Sequence, residues 1–127
     1  EAIHTGTFFG NPLSCATGLV ALEVIEEEGL VKRAQKLGER WLPRLRALSD
    51  ELQAVTGARG KGMMWGICLR DSATTFRLQR ALLERGYITL PAGMEAKVLG
   101  IAPPLNIAEH LLERWLVDLR SCLGALS

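Results

Sequence analysis

No apolar run in the chain approaches the ~18 residues that a membrane-spanning helix needs, and no secretory leader is read at its start. Neither sign of charge dominates. Fifteen Lys and Arg stand against fourteen Asp and Glu, for a net charge of +1. So balanced a chain points to neither nucleic acid nor a membrane surface as a partner. Histidine is scarce. His4 and His110 are too few and too separated for a metal site, and His110 falls in a helical pattern, on the surface. The three cysteines, Cys15, Cys68 and Cys122, are an odd number, far apart, with no metal spacing between any two. All three lie in apolar surroundings, so buried free thiols in a reducing compartment are expected. Internal repeats and low-complexity segments are absent.

What is present suffices for one domain: 127 residues, 48% of them hydrophobic. Residues 13–28 read as a helix stopped by Gly29, with small residues Ser14, Cys15, Ala16, Gly18 and Ala21 that suit close packing. Its acidic end, Glu23 and Glu26 to Glu28, is a solvated face rather than an acid/base pair. A second helix is expected over 30–52. Leu30, Ala34, Leu37, Trp41, Leu45, Leu48 and Leu52 recur at helical spacing along one stripe. Its basic face is solvated, and Pro43 should bend it or interrupt one hydrogen bond.

Residues 55–62 read as a glycine-rich turn. Gly60-Lys61-Gly62 is not a phosphate loop, because it runs into a strand and lacks the Ser or Thr after Gly-Lys. Met63 to Leu69 follows as a buried strand. Asp71, Ser72 and Thr74 cap a helix over about 75–85, stopped by Gly86. Tyr87 to Leu90 is a short strand, turned at Pro91-Ala92-Gly93, and 97–102 is another. Asn106 then caps the last helix, with Glu109 placed as in a capping box, and Ile107, Leu111, Trp115, Leu119 and Cys122 on its buried side. The strands are few and short. They predict an α+β fold: a small, mostly antiparallel sheet of about three strands with helices on one face.

The richest stretch is His4-Thr5-Gly6-Thr7-Phe8-Phe9-Gly10-Asn11-Pro12. Two glycines loosen the loop, and Asn11-Pro12 reads as an N-cap with proline at the first helical position. A Gly-Thr pair offers an N–H and a hydroxyl in one direction, enough to hold an anionic oxygen, although most such pairs are only turns.

This stretch, with its Thr-Phe-x-Gly-Asn-Pro-Leu and small-residue helix, resembles the class III aminotransferases of fold type I, the acetylornithine, 4-aminobutyrate and omega-amine transaminase group. Arg59-Gly60-Lys61-Gly62-Met63-Met64-Trp65-Gly66, then Glu84-Arg85-Gly86, then Val98 to Leu105 with Pro103-Pro104-Leu105, are similar to later blocks of the same family, in order. The match covers only the C-terminal part of such an enzyme, and a chain opening in mid-motif reads as a piece of something longer. The resemblance implies an active-site loop and linking helix over 1–28 and the small C-terminal domain over 29–127. It also implies a cytoplasmic homodimer using pyridoxal 5'-phosphate to pass an amino group from an amino acid, omega-amino acid or amine to a 2-oxo acid. Thr7, with Gly6 beside it, would contact the cofactor phosphate across the dimer. No lysine here lies in the family's lysine motif, and the carboxylate that faces the ring nitrogen belongs upstream, so catalytic residues are expected to be none in this chain. One departure concerns substrate. Where many members carry an arginine for the α-carboxylate, this chain has Gly100, with Lys97 and Arg59 as possible substitutes. The alternative is a stand-alone α+β binding or oligomerisation module without enzyme activity.

Overall fold

The computed structural model describes residue 6 and residues 9–126. They fall into two compact units, 1–32 and 33–127. In the first unit, helix α1 (Pro12–Glu27) begins as its sequence directs. The Asn11 side chain accepts hydrogen bonds from the Leu13 and Ser14 amides at 3.0 and 3.1 Å, and proline follows the cap. No residue of α1 is buried, so the close packing expected from its small residues is not made within this unit.

The second unit is an α+β fold of two layers, as the sequence predicts, with four strands where about three were expected. All are antiparallel, in the order β1-β2-β4-β3. Helix α2 (Leu30–Arg46) keeps its apolar stripe, with Leu37, Trp41 and Leu45 buried. The helix expected to reach residue 52 stops earlier. Pro43 lies on its exposed side, the chain turns at Ala47, and a four-residue helix α3 (Leu48–Glu51) follows.

The stretch 55–62, expected as a turn, is mostly strand. β1 (Val55–Lys61) pairs with β2 (Met64–Leu69), and only Gly62-Met63 makes the connection, with Gly62 in the left-handed region at φ +54°. The glycines that suggested a turn are there for proximity. A Cβ on Gly60 would run into the Met64 carbonyl oxygen and lie 2.9 Å from the Trp65 ring. One on Gly38 would lie 2.5 Å from the Gly62 carbonyl oxygen, where α2 crosses the hairpin.

Helix α4 (Ser72–Glu84) starts on Asp71, whose carboxylate accepts from the Thr74 amide at 2.6 Å. The strand expected at 87–90 begins later, as β3 (Leu90–Ala92), so Pro91 and Ala92 lie in the ladder and the turn is 93–96. The cause is local. Gln79 donates to the Thr89 carbonyl, and the Tyr87 amide bonds back to Leu82, so 87–89 follow α4 instead of joining the sheet. β4 (Val98–Ile101) lies between β2 and β3.

Helix α5 (Glu109–Gly124) starts three residues after Asn106, without a side-chain cap. Arg33 donates to the Leu105 and Ile107 carbonyls and holds that stretch as a turn, while Glu109 pairs with Arg40 rather than closing a capping box. Its buried side is Leu112, Trp115, Leu116, Leu119, Cys122 and Leu123; Leu111, expected there, is exposed. The cysteines also differ from expectation: Cys122 is buried, Cys68 half-buried and Cys15 exposed.

One core joins these elements. Trp65, Ile67 and Leu69 of β2 and Leu99 and Ile101 of β4 point to the side where helices α2 to α5 pack. Trp41 and Trp65 stack with centroids 6.1 Å apart, and the Arg44 guanidinium covers Trp41 at 4.3 Å. The alternate residues of each strand face away from the helices. That second face carries Arg59, Lys61, Met64, Gly66, Gly100 and Leu90.

Candidate functional site

The first candidate site is the loop before α1. Thr7 lies outside the described residues. Gly6 is exposed, its carbonyl accepts from the Phe9 amide at 3.2 Å, and a Cβ on it would lie 3.0 Å from the Phe9 ring. Gly10 follows at φ +77°, a conformation that side chains disfavour. A helix N-terminus is an attractive anion site, but here Asn11 already occupies the Leu13 and Ser14 donors. Any anion held at this end of the unit must therefore take its bonds from the loop, not from the helix.

A nucleophilic lysine must shed its proton near neutral pH, which burial or a second cation achieves. All four lysines, Lys32, Lys36, Lys61 and Lys97, are exposed. Lys97 is pushed the other way, because its hydrogen-bonded ion pair with Glu95 holds its pKa above the ordinary lysine value. His110 is exposed, and no group of three or more potential metal ligands occurs among the described residues.

The second candidate lies on β4. Gly100 is half-buried on the face turned away from the helices, opposite Gly66 on one side and Leu90 on the other. A Cβ there would lie 3.2 Å from the Leu90 carbonyl oxygen. Arg59 sits on the same face, across Gly66, whereas Lys97 lies just before β4 and is paired with Glu95. The structure therefore brings Arg59 and Gly100 into one cross-strand row and leaves Lys97 outside it. The hairpin centre at Gly62-Met63 is the signal that sets Arg59 opposite Gly66.

Sequence reasoning also missed a cleft of about 480 Å³ between the residues before β3, the end of β4 and α5. Thr89, Ile101, Pro103, Ile107 and Trp115 line it, and the Thr89 hydroxyl is buried without a partner among the described residues. Two of its lining residues, Thr89 and Ile101, adjoin Leu90 and Gly100, the end pair of the β3–β4 ladder.

A family model for class-III aminotransferases matches residues 1–123. Among solved structures, the chain is 33% identical to an acetylornithine aminotransferase from Elizabethkingia anophelis, with a TM-score of 0.86 over 98% of this chain and 31% of that one. It is 31% identical to an aminotransferase from Bacillus anthracis, with a TM-score of 0.87 over 98% of this chain and 30% of that one. An Arthrobacter phospholyase solved with phosphoethanolamine is 29% identical, with a TM-score of 0.90 over 99% of this chain and 32% of that one. The chain spans about a third of the length of these relatives.

Proposed function

Because the chain belongs to the class III aminotransferases, we propose that it forms the C-terminal part of a cytoplasmic, homodimeric transaminase that moves an amino group from an amino acid, omega-amino acid or amine to a 2-oxo acid. Pyridoxal 5'-phosphate supplies the electron-accepting ring when bound. Gly6 and Thr7 hold its phosphate across the dimer, residues 1–28 serve as active-site loop and linking helix, and residues 29–127 form the small domain. The observation that carries this reading is the family match along 1–123, which includes the loop. The self-capped start of α1 supports it, since it leaves the loop as the source of anion contacts. An amine transaminase from an uncultivated Pseudomonas species, 25% identical and solved with the cofactor bound, is similar in fold over the whole of this chain.

The covalent lysine and the carboxylate for the ring nitrogen lie elsewhere in the enzyme on this reading, consistent with four exposed lysines here. The intact enzyme should convert an amino donor and a 2-oxo acid in equal amounts. The 127-residue chain mixed with the cofactor should convert none, and borohydride should attach no cofactor to it. Trapping of the cofactor on a single lysine of this chain would overturn the division of labour.

A further inference from the structure

The apolar stripe of the last helix includes Leu111 by its spacing, yet Leu111 is 44% exposed, and Ile88 is 86% exposed. Both line the cleft between residues 85–89, the end of β4 and α5. Their apolar side chains therefore border a space that no described residue fills. The buried part of the lining is apolar as well, with Ile101, Leu112 and Trp115. At about 480 Å³, the cleft falls in the range of small-ligand pockets, roughly 300–1,000 Å³. One polar side chain stands in this apolar wall. Thr89 is 6% exposed, and its hydroxyl has no hydrogen-bond partner among the described residues. A buried hydroxyl without a partner costs free energy that a bound acceptor would relieve.

Charge narrows what that space suits. Among the described residues, the lining includes two arginines, Arg85 and Arg114, and no carboxylate. Arg85 is committed. It donates to the Asp118 carbonyl at 2.9 Å and to the Ser121 hydroxyl at 3.1 Å, and its guanidinium lies 3.5 Å from the Asp118 carboxylate. The Tyr87 hydroxyl donates to the same carboxylate at 2.6 Å. Asp118, one turn after Arg114 on α5, is thus taken by other partners. Arg114 makes no hydrogen bond or ion pair among the described residues. One positive charge is left over at the cleft, and it matches a monoanion. The planar fork of a guanidinium suits a carboxylate. Trp115, Pro103 and Pro104 offer flat apolar surface to the rest of the ligand.

We propose that this cleft binds a small carboxylic acid with a flat apolar body, its carboxylate taken by the Arg114 guanidinium and the Thr89 hydroxyl. The assignment goes beyond the amino-transfer reading and does not rest on it. Its test is titration calorimetry on the full-length enzyme with 4-phenylbutyrate and its uncharged counterpart, 4-phenylbutyramide. Wild type should bind the carboxylate roughly tenfold more tightly than the amide, the range of one charge-assisted hydrogen bond. Arg114→Gln should weaken the carboxylate by about the same factor and leave the amide unchanged. Thr89→Val keeps the shape of the side chain and removes the hydroxyl. It should weaken carboxylate binding by roughly threefold to tenfold. Without ligand, its thermal unfolding midpoint should equal or exceed that of wild type, because an unpartnered buried hydroxyl is lost. The proposal is overturned if wild type binds neither compound, as it would if another part of the enzyme filled the cleft, or if it shows no preference for the carboxylate. It is overturned equally if either substitution leaves the affinity for the carboxylate as in wild type, which would place the binding elsewhere. A Thr89→Val midpoint below that of wild type would also overturn it, since the hydroxyl would then serve the fold rather than a ligand.

Discussion

Gly18 and Gly38 look alike in the sequence, both glycines within helices, yet a methyl group would meet different surroundings at each. Around Gly18 nothing lies within 4 Å, while at Gly38 the Gly62 carbonyl oxygen and Cα would lie at 2.5 and 2.8 Å. Gly38→Ala must push α2 off the β1–β2 hairpin and should destabilise by about 1–3 kcal/mol, the ordinary cost of overpacking. Gly18→Ala should stabilise by about 0.5–1 kcal/mol through helix propensity. Urea unfolding of the two variants checks this, and equal gains in both would show that α2 and the hairpin do not touch as described. The identities of Gly38, Gly60, Gly66 and Gly100 were open to sequence reading, but the reason for each was not. Three of the four are required by backbone or side chains from a neighbouring strand or hairpin, and such proximity leaves no local signal.

At the scale of elements, legibility followed burial. The stripe from Ala34 to Leu48 was readable because it lies against the core through consecutive turns. β1 was not, since an edge strand with Gly57 and Gly60 carries little apolar pattern. β3 was misplaced by the tie between Gln79 and the Thr89 carbonyl, a bond made across ten residues. The α4 start was legible, because Asp71 caps locally, and it carries a pH dependence. The Thr74 amide, above all, holds the Asp71 carboxyl below its ordinary pKa. A carboxylate whose pKa is lower folded than unfolded stabilises the fold above its unfolded value, near 4, and loses that contribution as pH falls through the folded value. Stability should therefore drop below about pH 4, and Asp71→Asn should remove part of that drop while keeping the cap. A wild-type acid transition superimposable on that of the asparagine variant would contradict the assignment.

At the scale of the larger unit, helices α2 to α5 pack on one face of its antiparallel sheet, and the other face carries Arg59, Lys61, Gly66 and Gly100. That asymmetry, and an α1 with no buried residue, suit a part that works against other parts. The central claim is that the loop before α1 anchors the cofactor phosphate in a shared active site. Its most direct test is the cofactor dissociation constant of the full-length enzyme carrying Thr7→Ala. A charge-assisted hydroxyl contact contributes about 1.5–3 kcal/mol, so cofactor retention should weaken by roughly tenfold to a hundredfold in Thr7→Ala and only slightly in Thr7→Ser. An alanine variant that retained the cofactor as tightly as wild type would contradict the account.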